Sequence, residues 1–234
     1  MVLRIAFAGE GTTEYGRGPS RLAFDKEQYD EDGFLQVILK KALVERFGEE
    51  KPFETGSRIQ WKNIRLHAGG KRERHCVAGA KLAAAVGLAQ LDESDGLVFI
   101  VDDGQADFTD ELMKDLAQLR SECDDVAISA GTAIRMIEAA LLADGEAVAA
   151  EFPGLKLSRT KAPEKVANPK AVFKKDYLEY QVKTKERFVK ETSWTQARKK
   201  IIARLSLETL RERCPKGLGR FIGEMDAVLK LFEE

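Results

Sequence analysis

Short apolar runs alternate with stretches of helical period along most of the chain. Leu3 to Ala8 is apolar apart from Arg4 and runs straight into Gly9-Glu10-Gly11, which reads as a buried first strand ending on a glycine-flanked carboxylate. Tyr15 to Asp32 is rich in Gly, Pro, Asp and Glu and reads as a long loop. Phe34 to Phe47 places Leu35, Ile38, Leu39, Ala42 and Leu43 at helical spacing between Gly33 and Gly48. After a turn-rich connection, Glu49 to Ser57, the segment Ile59 to Leu66 reads as a second strand. Gly69-Gly70 ends it, and the Ala-rich stretch Lys71 to Leu91 reads as a helix with Val77, Ala80, Ala84 and Leu88 on one face.

The clearest strand is Leu97-Val98-Phe99-Ile100-Val101, a continuous apolar run of the kind that central parallel strands show. It runs into Asp102-Asp103-Gly104-Gln105-Ala106-Asp107. A helix from Thr109 to Cys123, a strand from Val126 to Ser129 and a long apolar helix from Ile134 to Ala150 follow. Strand and helix thus alternate four times, the pattern of a parallel sheet with right-handed crossovers. Phe152 to Lys170 carries Pro153, Gly154, Pro163, Asn168 and Pro169 and reads as an irregular connection. Beyond it only helices are expected, best defined over Thr195–Leu205, Leu207–Arg213 and Leu218–Phe232.

Length and charge divide this picture in two. The 234 residues suit one large domain or one domain with a smaller companion, and 44% hydrophobic with 33% charged residues is ordinary globular composition. Residues 1–150 hold 18 basic against 27 acidic side chains, and residues 151–234 hold 20 against 12. The expected organisation is therefore an acidic α/β domain over 1–150 and a basic helical region over 151–234. Two solvated faces of opposite sign would explain the split; so would acids gathered for a metal and bases gathered for phosphate. No apolar run is long enough to span a bilayer and no basic-then-apolar leader opens the chain, so a cytoplasmic protein without membrane attachment is expected. Cys76, Cys123 and Cys214 are far apart and odd in number, which argues for reduced core residues.

Ligands of open parallel sheets sit at the carboxyl ends of strands, where this reading puts Glu10, Asp102 and Asp103. A charge at the end of a core strand is costly unless a metal ion, a phosphate-binding loop or a helix cap compensates it. Carboxylates at neighbouring strand ends suit magnesium, a hard cation that keeps several waters and needs few protein ligands. With only His67 and His75 in the chain, a zinc hydrolase or a His-based triad is disfavoured. The competing structural roles are Thr12 or Thr13 as an N-cap with Glu14 in the first turn, an Asx turn at Asp102-Asp103, Asp107 as the cap of its helix, and Glu138 paired with Arg135 on one helix face.

The turn Glu10-Gly11-Thr12-Thr13-Glu14 after the first strand, followed by an acidic cluster after a later apolar strand, resembles the Toprim fold of topoisomerases, bacterial primases and OLD-type nucleases. Arg135-Met136-Ile137-Glu138-Ala139-Ala140-Leu141-Leu142-Ala143-Asp144, Pro163 to Lys170 and Leu207 to Pro215 are similar to signatures of a mostly bacterial, Toprim-like group called domain of unknown function 4276. The resemblance implies an α/β, mostly parallel Toprim-like sheet flanked by helices, with a helical C-terminal part. It implies magnesium- or manganese-dependent nuclease chemistry, in an anti-phage defence module that includes a partner ATPase. Carried over by position, Glu10 would be metal ligand and acid/base, Asp102 and Asp103 metal ligands, Glu14 and Glu138 further carboxylates of the site, and Lys170 a phosphate contact. The family's Asp-x-Asp is Asp102-Asp103-Gly104 here and its signature tryptophan is Ala140. The first departure opens an alternative: a catalytically degraded subunit that binds a partner protein or nucleic acid.

Basic residues supply candidate nucleic-acid contacts. Lys71, Arg72 and Arg74 oppose the dipole of the helix they open, which an anionic partner would relieve. Lys183, Lys185, Arg198 and Lys199 form part of a basic run that is ordinarily a solvated face, and with Tyr177, Tyr180, Phe188 and Trp194 interleaved the run also suits a single strand gripped by charge and stacking.

Overall fold

The computed structural model describes residues 2–10, 14, 32–60, 64, 77–103, 107–135, 137–158, 161–183 and 191–233, without the side chains of 102, 103, 107, 108 and 191–195. Strands β1 (Leu3–Gly9), β2 (Phe53–Gln60), β3 (Gly96–Asp103) and β4 (Ala127–Ile134) form one all-parallel sheet in the order β2-β1-β3-β4. Helices α1 (Phe34–Phe47), α2 (Val77–Leu91) and α3 (Asp107–Glu122) lie between successive strands in sequence. The expected α/β architecture, with helices following the sheet, is what the chain adopts.

The two-residue period of the strands sorts the core into two layers. Ala6 and Ala8 of β1, Leu97, Phe99 and Val101 of β3, and Ile128 and Ala130 of β4 share one cluster with Leu82, Ala85, Val86 and Ala89 of α2 and Leu112 and Leu116 of α3. The register agrees, because Ala6 pairs with Leu97 and Ala8 with Phe99. Residues 221–233 cross the opposite face. A Cβ on Gly131 of β4 would lie 2.6 Å from Cβ of Phe221, one on Gly96 of β3 would lie 3.2 Å from Leu231, and the ring of Phe232 meets that of Phe53 of β2 edge-on at 6.4 Å. Arg46 at the end of α1 is paired with both Asp226 and Glu233 of the same segment.

The chain separates into two compact units, Met1–Val101 with Ala106–Thr132 and Phe221–Glu234, and Asp102–Gln105 with Ala133–Arg220. This differs from the division at residue 150 that the charge balance implies, because the C-terminal segment carries the apolar side chains that cover the sheet. In the second unit, α4 (Glu138–Ala143) is buried at all six positions. It contacts α5 (Gly145–Glu151), the 3-10 turn Pro163–Lys165, α6 (Pro169–Lys183), α7 (Glu191–Arg204) and α8 (Leu207–Arg213). Its alanines at 139, 140 and 143 let five neighbours approach one short helix. The expected helix over 134–150 is instead the end of β4, a bend at Arg135, and α4 and α5 separated at Asp144. The Asp144 carboxylate accepts the N–H of Ala147, capping α5, and the N–H of Ser206 at 2.8 Å. No helix among the described residues is long and apolar enough to cross a membrane.

The carboxyl edge of the sheet as candidate site

The strand order fixes where a ligand of this sheet belongs. The chain passes from β1 to β2 on one side and then returns to β3 on the other side of β1, so the topological switch point falls between β1 and β3. The last paired residues there are Ala8 and Phe99. Two residues after Ala8, just beyond the end of β1, is Glu10, half-buried, whose carbonyl accepts from Nε2 of Gln60 at 3.0 Å. Asp102 and Asp103 are the final residues of β3. Their side chains, and that of Asp107 at the start of α3, lie outside the described residues. Glu14 is buried, with 7% of its surface exposed. Among the described residues no group of three or more His, Cys, Asp and Glu side chains is arranged to hold a metal.

Two residues of the expected site in the second unit, Glu138 and Arg198, are engaged structurally. Glu138 does not pair with Arg135, which lies outside its helix. Its Oε1 accepts from Arg198 at 2.6 Å, with side chains only 7% and 12% exposed. Arg198, expected on a nucleic-acid-binding face, is thus largely withdrawn into a buried ion pair, and Glu138 is neutralised by it. Removing either partner would leave a buried charge uncompensated, which costs about 3–5 kcal/mol. Lys170 and Lys183 are exposed at the two ends of α6, and Lys199 is half-buried on α7. Lys71, Arg72, Arg74 and Lys185 lie outside the described residues.

The three signature stretches behind the sequence resemblance acquire a common role. Asp144 joins α5 to the start of α8. Glu164 accepts the N–H groups of Gly217 at 2.7 Å and Lys216 at 3.3 Å, so the 3-10 turn holds the loop after α8. Burial pushes the Glu164 carboxyl up, and those two N–H groups act against it. Asn168 accepts the N–H of Ala171 at 2.9 Å, and Pro169 opens α6. These residues tie the second unit together. Comparison of the chain with protein-family models, curated proteins and solved structures finds no match.

One residue was not foreseen. Arg135 follows the last residue of β4 with φ +67°, a left-handed conformation that non-glycine residues seldom adopt. An arginine in a run of helix-forming residues gives no hint of such a backbone, and the sequence offers no signal for it.

Proposed function

We propose that the chain is a magnesium- or manganese-dependent phosphodiesterase acting on nucleic acid, of Toprim-like type, with Glu10 as acid/base and metal ligand and Asp102 and Asp103 as further metal ligands. The observation that supports it is the strand order: β1 and β3 are parallel neighbours flanking the switch point, Glu10 directly follows β1, and Asp102 and Asp103 end β3. The donor set is hard oxygen, which fits magnesium rather than zinc. When bound, the ion would offset the carboxylates' charge and that of a phosphodiester and supply a water of lowered pKa. Glu10, partly shielded from solvent, is suited to take a proton from an attacking water. A partner ATPase and a role in phage defence belong to the same reading.

A second reading is favoured by the Glu138–Arg198 pair and by Gly104: a subunit that has lost part of the ligand set and binds a partner. Incubation of the protein with plasmid, single-stranded DNA and RNA in magnesium or manganese separates the two. Cleavage should occur and should fall about 10²- to 10⁴-fold in Glu10→Ala. Cleavage unchanged in Glu10→Ala would overturn the assignment of the site; none by the native protein would favour the second reading.

A further inference from the structure

Two described residues other than glycine hold a left-handed backbone, Glu93 at φ +54° and Arg135 at φ +67°. The first has a local cause. Ser94 donates its N–H to the carbonyl of Ala89 and Glu93 donates to that of Gln90, the paired bonds of a Schellman ending on α2. Arg135 ends no helix. It sits between the end of β4 and the start of α4, at the sheet edge where the parallel strands finish.

Its side chain has a matching peculiarity. The helix-face partner that sequence spacing offers it, Glu138, is taken by Arg198. Among the described residues no carboxylate or carbonyl accepts from the Arg135 guanidinium, although the residue is half-buried. Strain of this kind persists where surrounding structure holds it, and it concentrates at ligand sites. A partly desolvated guanidinium presents a planar fork of donors suited to phosphate oxygens.

We infer that Arg135 is a phosphate-contacting residue, held at the carboxyl edge of the sheet by its left-handed backbone to bind the backbone of a nucleic-acid strand. This inference rests on the nucleic-acid reading proposed above for its ligand, though not for the anion contact itself. Arg135→Gly removes both the strain and the donor fork, so the variant should melt at or above the native temperature and yet bind more weakly. Arg135→Lys keeps a point charge and should retain part of the affinity.

The test measures anisotropy of a fluorescein-labelled single-stranded oligonucleotide, DNA and RNA in turn, at several salt concentrations, beside thermal unfolding with and without inorganic pyrophosphate. The expected result is affinity lower by about tenfold or more in Arg135→Gly and Arg135→Gln, with a salt slope about one unit shallower. Oligonucleotide binding equal in the native protein and in Arg135→Gln would overturn the inference and leave the nucleic-acid reading standing. Failure of the native protein to bind either oligonucleotide, with pyrophosphate stabilising it but not Arg135→Gln, would remove the nucleic-acid reading and uphold the anion contact. Binding of neither probe by the native protein would overturn both.

Discussion

Asp92 shows how one carboxylate secures the amino edge of the sheet. It accepts the N–H of Ser57 at 2.7 Å, the hydroxyl of Ser94 and the guanidinium of Arg4 at 2.9 Å, joining β2, the turn before β3, and β1. Burial raises its pKa, but the bonds from Ser57 and Ser94 and the charge of Arg4 together outweigh that and hold the carboxyl below its usual range. A depressed folded-state pKa means stability that is present above the unfolded value of about 3.9 and is lost as pH falls through the folded value. Urea unfolding followed down through the carboxylate range should therefore show a steep acid loss that Asp92→Asn flattens, at a cost near neutrality of about 1–2 kcal/mol. An unchanged acid limb in the variant would remove Asp92 from this role. Two other residues invite equally local tests. Glu93→Gly should raise stability by up to about 1 kcal/mol, because glycine takes the left-handed position of a Schellman ending without steric cost. Burial, and then the charge of Glu164, push the Cys214 thiol up to about 12. Iodoacetamide should therefore label the half-buried Cys123 in the folded protein and reach Cys214 only after denaturation, as peptide mass spectrometry would show.

At the scale of elements, what could be read from the chain depended on whether burial or contact chose the residues. The β1 and β3 runs were legible because two-sided burial demands continuous apolar sequence, and α1 because its apolar residues recur at helical spacing between two glycines. The sequence pattern puts the second strand at 59–66, and it lies at 53–60. As an edge strand it is half-exposed along most of its length, and Gly56 in its middle looks like a turn. A Cβ on Gly56 would lie 2.6 Å from Oγ of Ser94 and 2.9 Å from Oδ2 of Asp92, so that glycine answers to close approach. The sequence reading ends the fourth strand at Ser129, and the strand continues through the small residues Ala130-Gly131-Thr132-Ala133 to Ile134. Gly131 is small because Phe221 lies on it. Gly131→Ala should accordingly cost about 1–3 kcal/mol in chemical unfolding, with Gly223→Ala, which meets nothing within 4 Å, as the mild control. The candidate site divided the same way. Glu10 and the Asp102-Asp103 pair were legible as strand ends, whereas the partner of Glu138 lies 60 residues away and no local spacing reveals it.

For the whole molecule, the largest departure from the sequence reading is the destination of the C-terminal residues. Charge balance assigns them to a basic helical region, but charge describes a surface, and these residues are defined by their apolar face. Phe221, Ile222, Met225, Val228 and Leu229 are each at most 7% exposed. Ser129 Oγ and the Arg120 guanidinium both donate to the carbonyl of Glu224, and Arg120 also bonds the Glu224 carboxylate at 2.7 Å. Burying each large apolar side chain is worth about 1.5–3 kcal/mol, so five of them rival the 5–15 kcal/mol by which a typical domain is stable. A chain ending at Arg220 should therefore fail to fold its first unit, binding 8-anilinonaphthalene sulfonate and losing its cooperative urea transition. Arg120→Ala in the full-length chain, which keeps the apolar cover and removes only the clamp, should lose about 1–3 kcal/mol and remain cooperative. A truncated chain that unfolds at the native urea midpoint would show that the sheet does not need this cover, and the division of the chain into its two units would have to be redrawn.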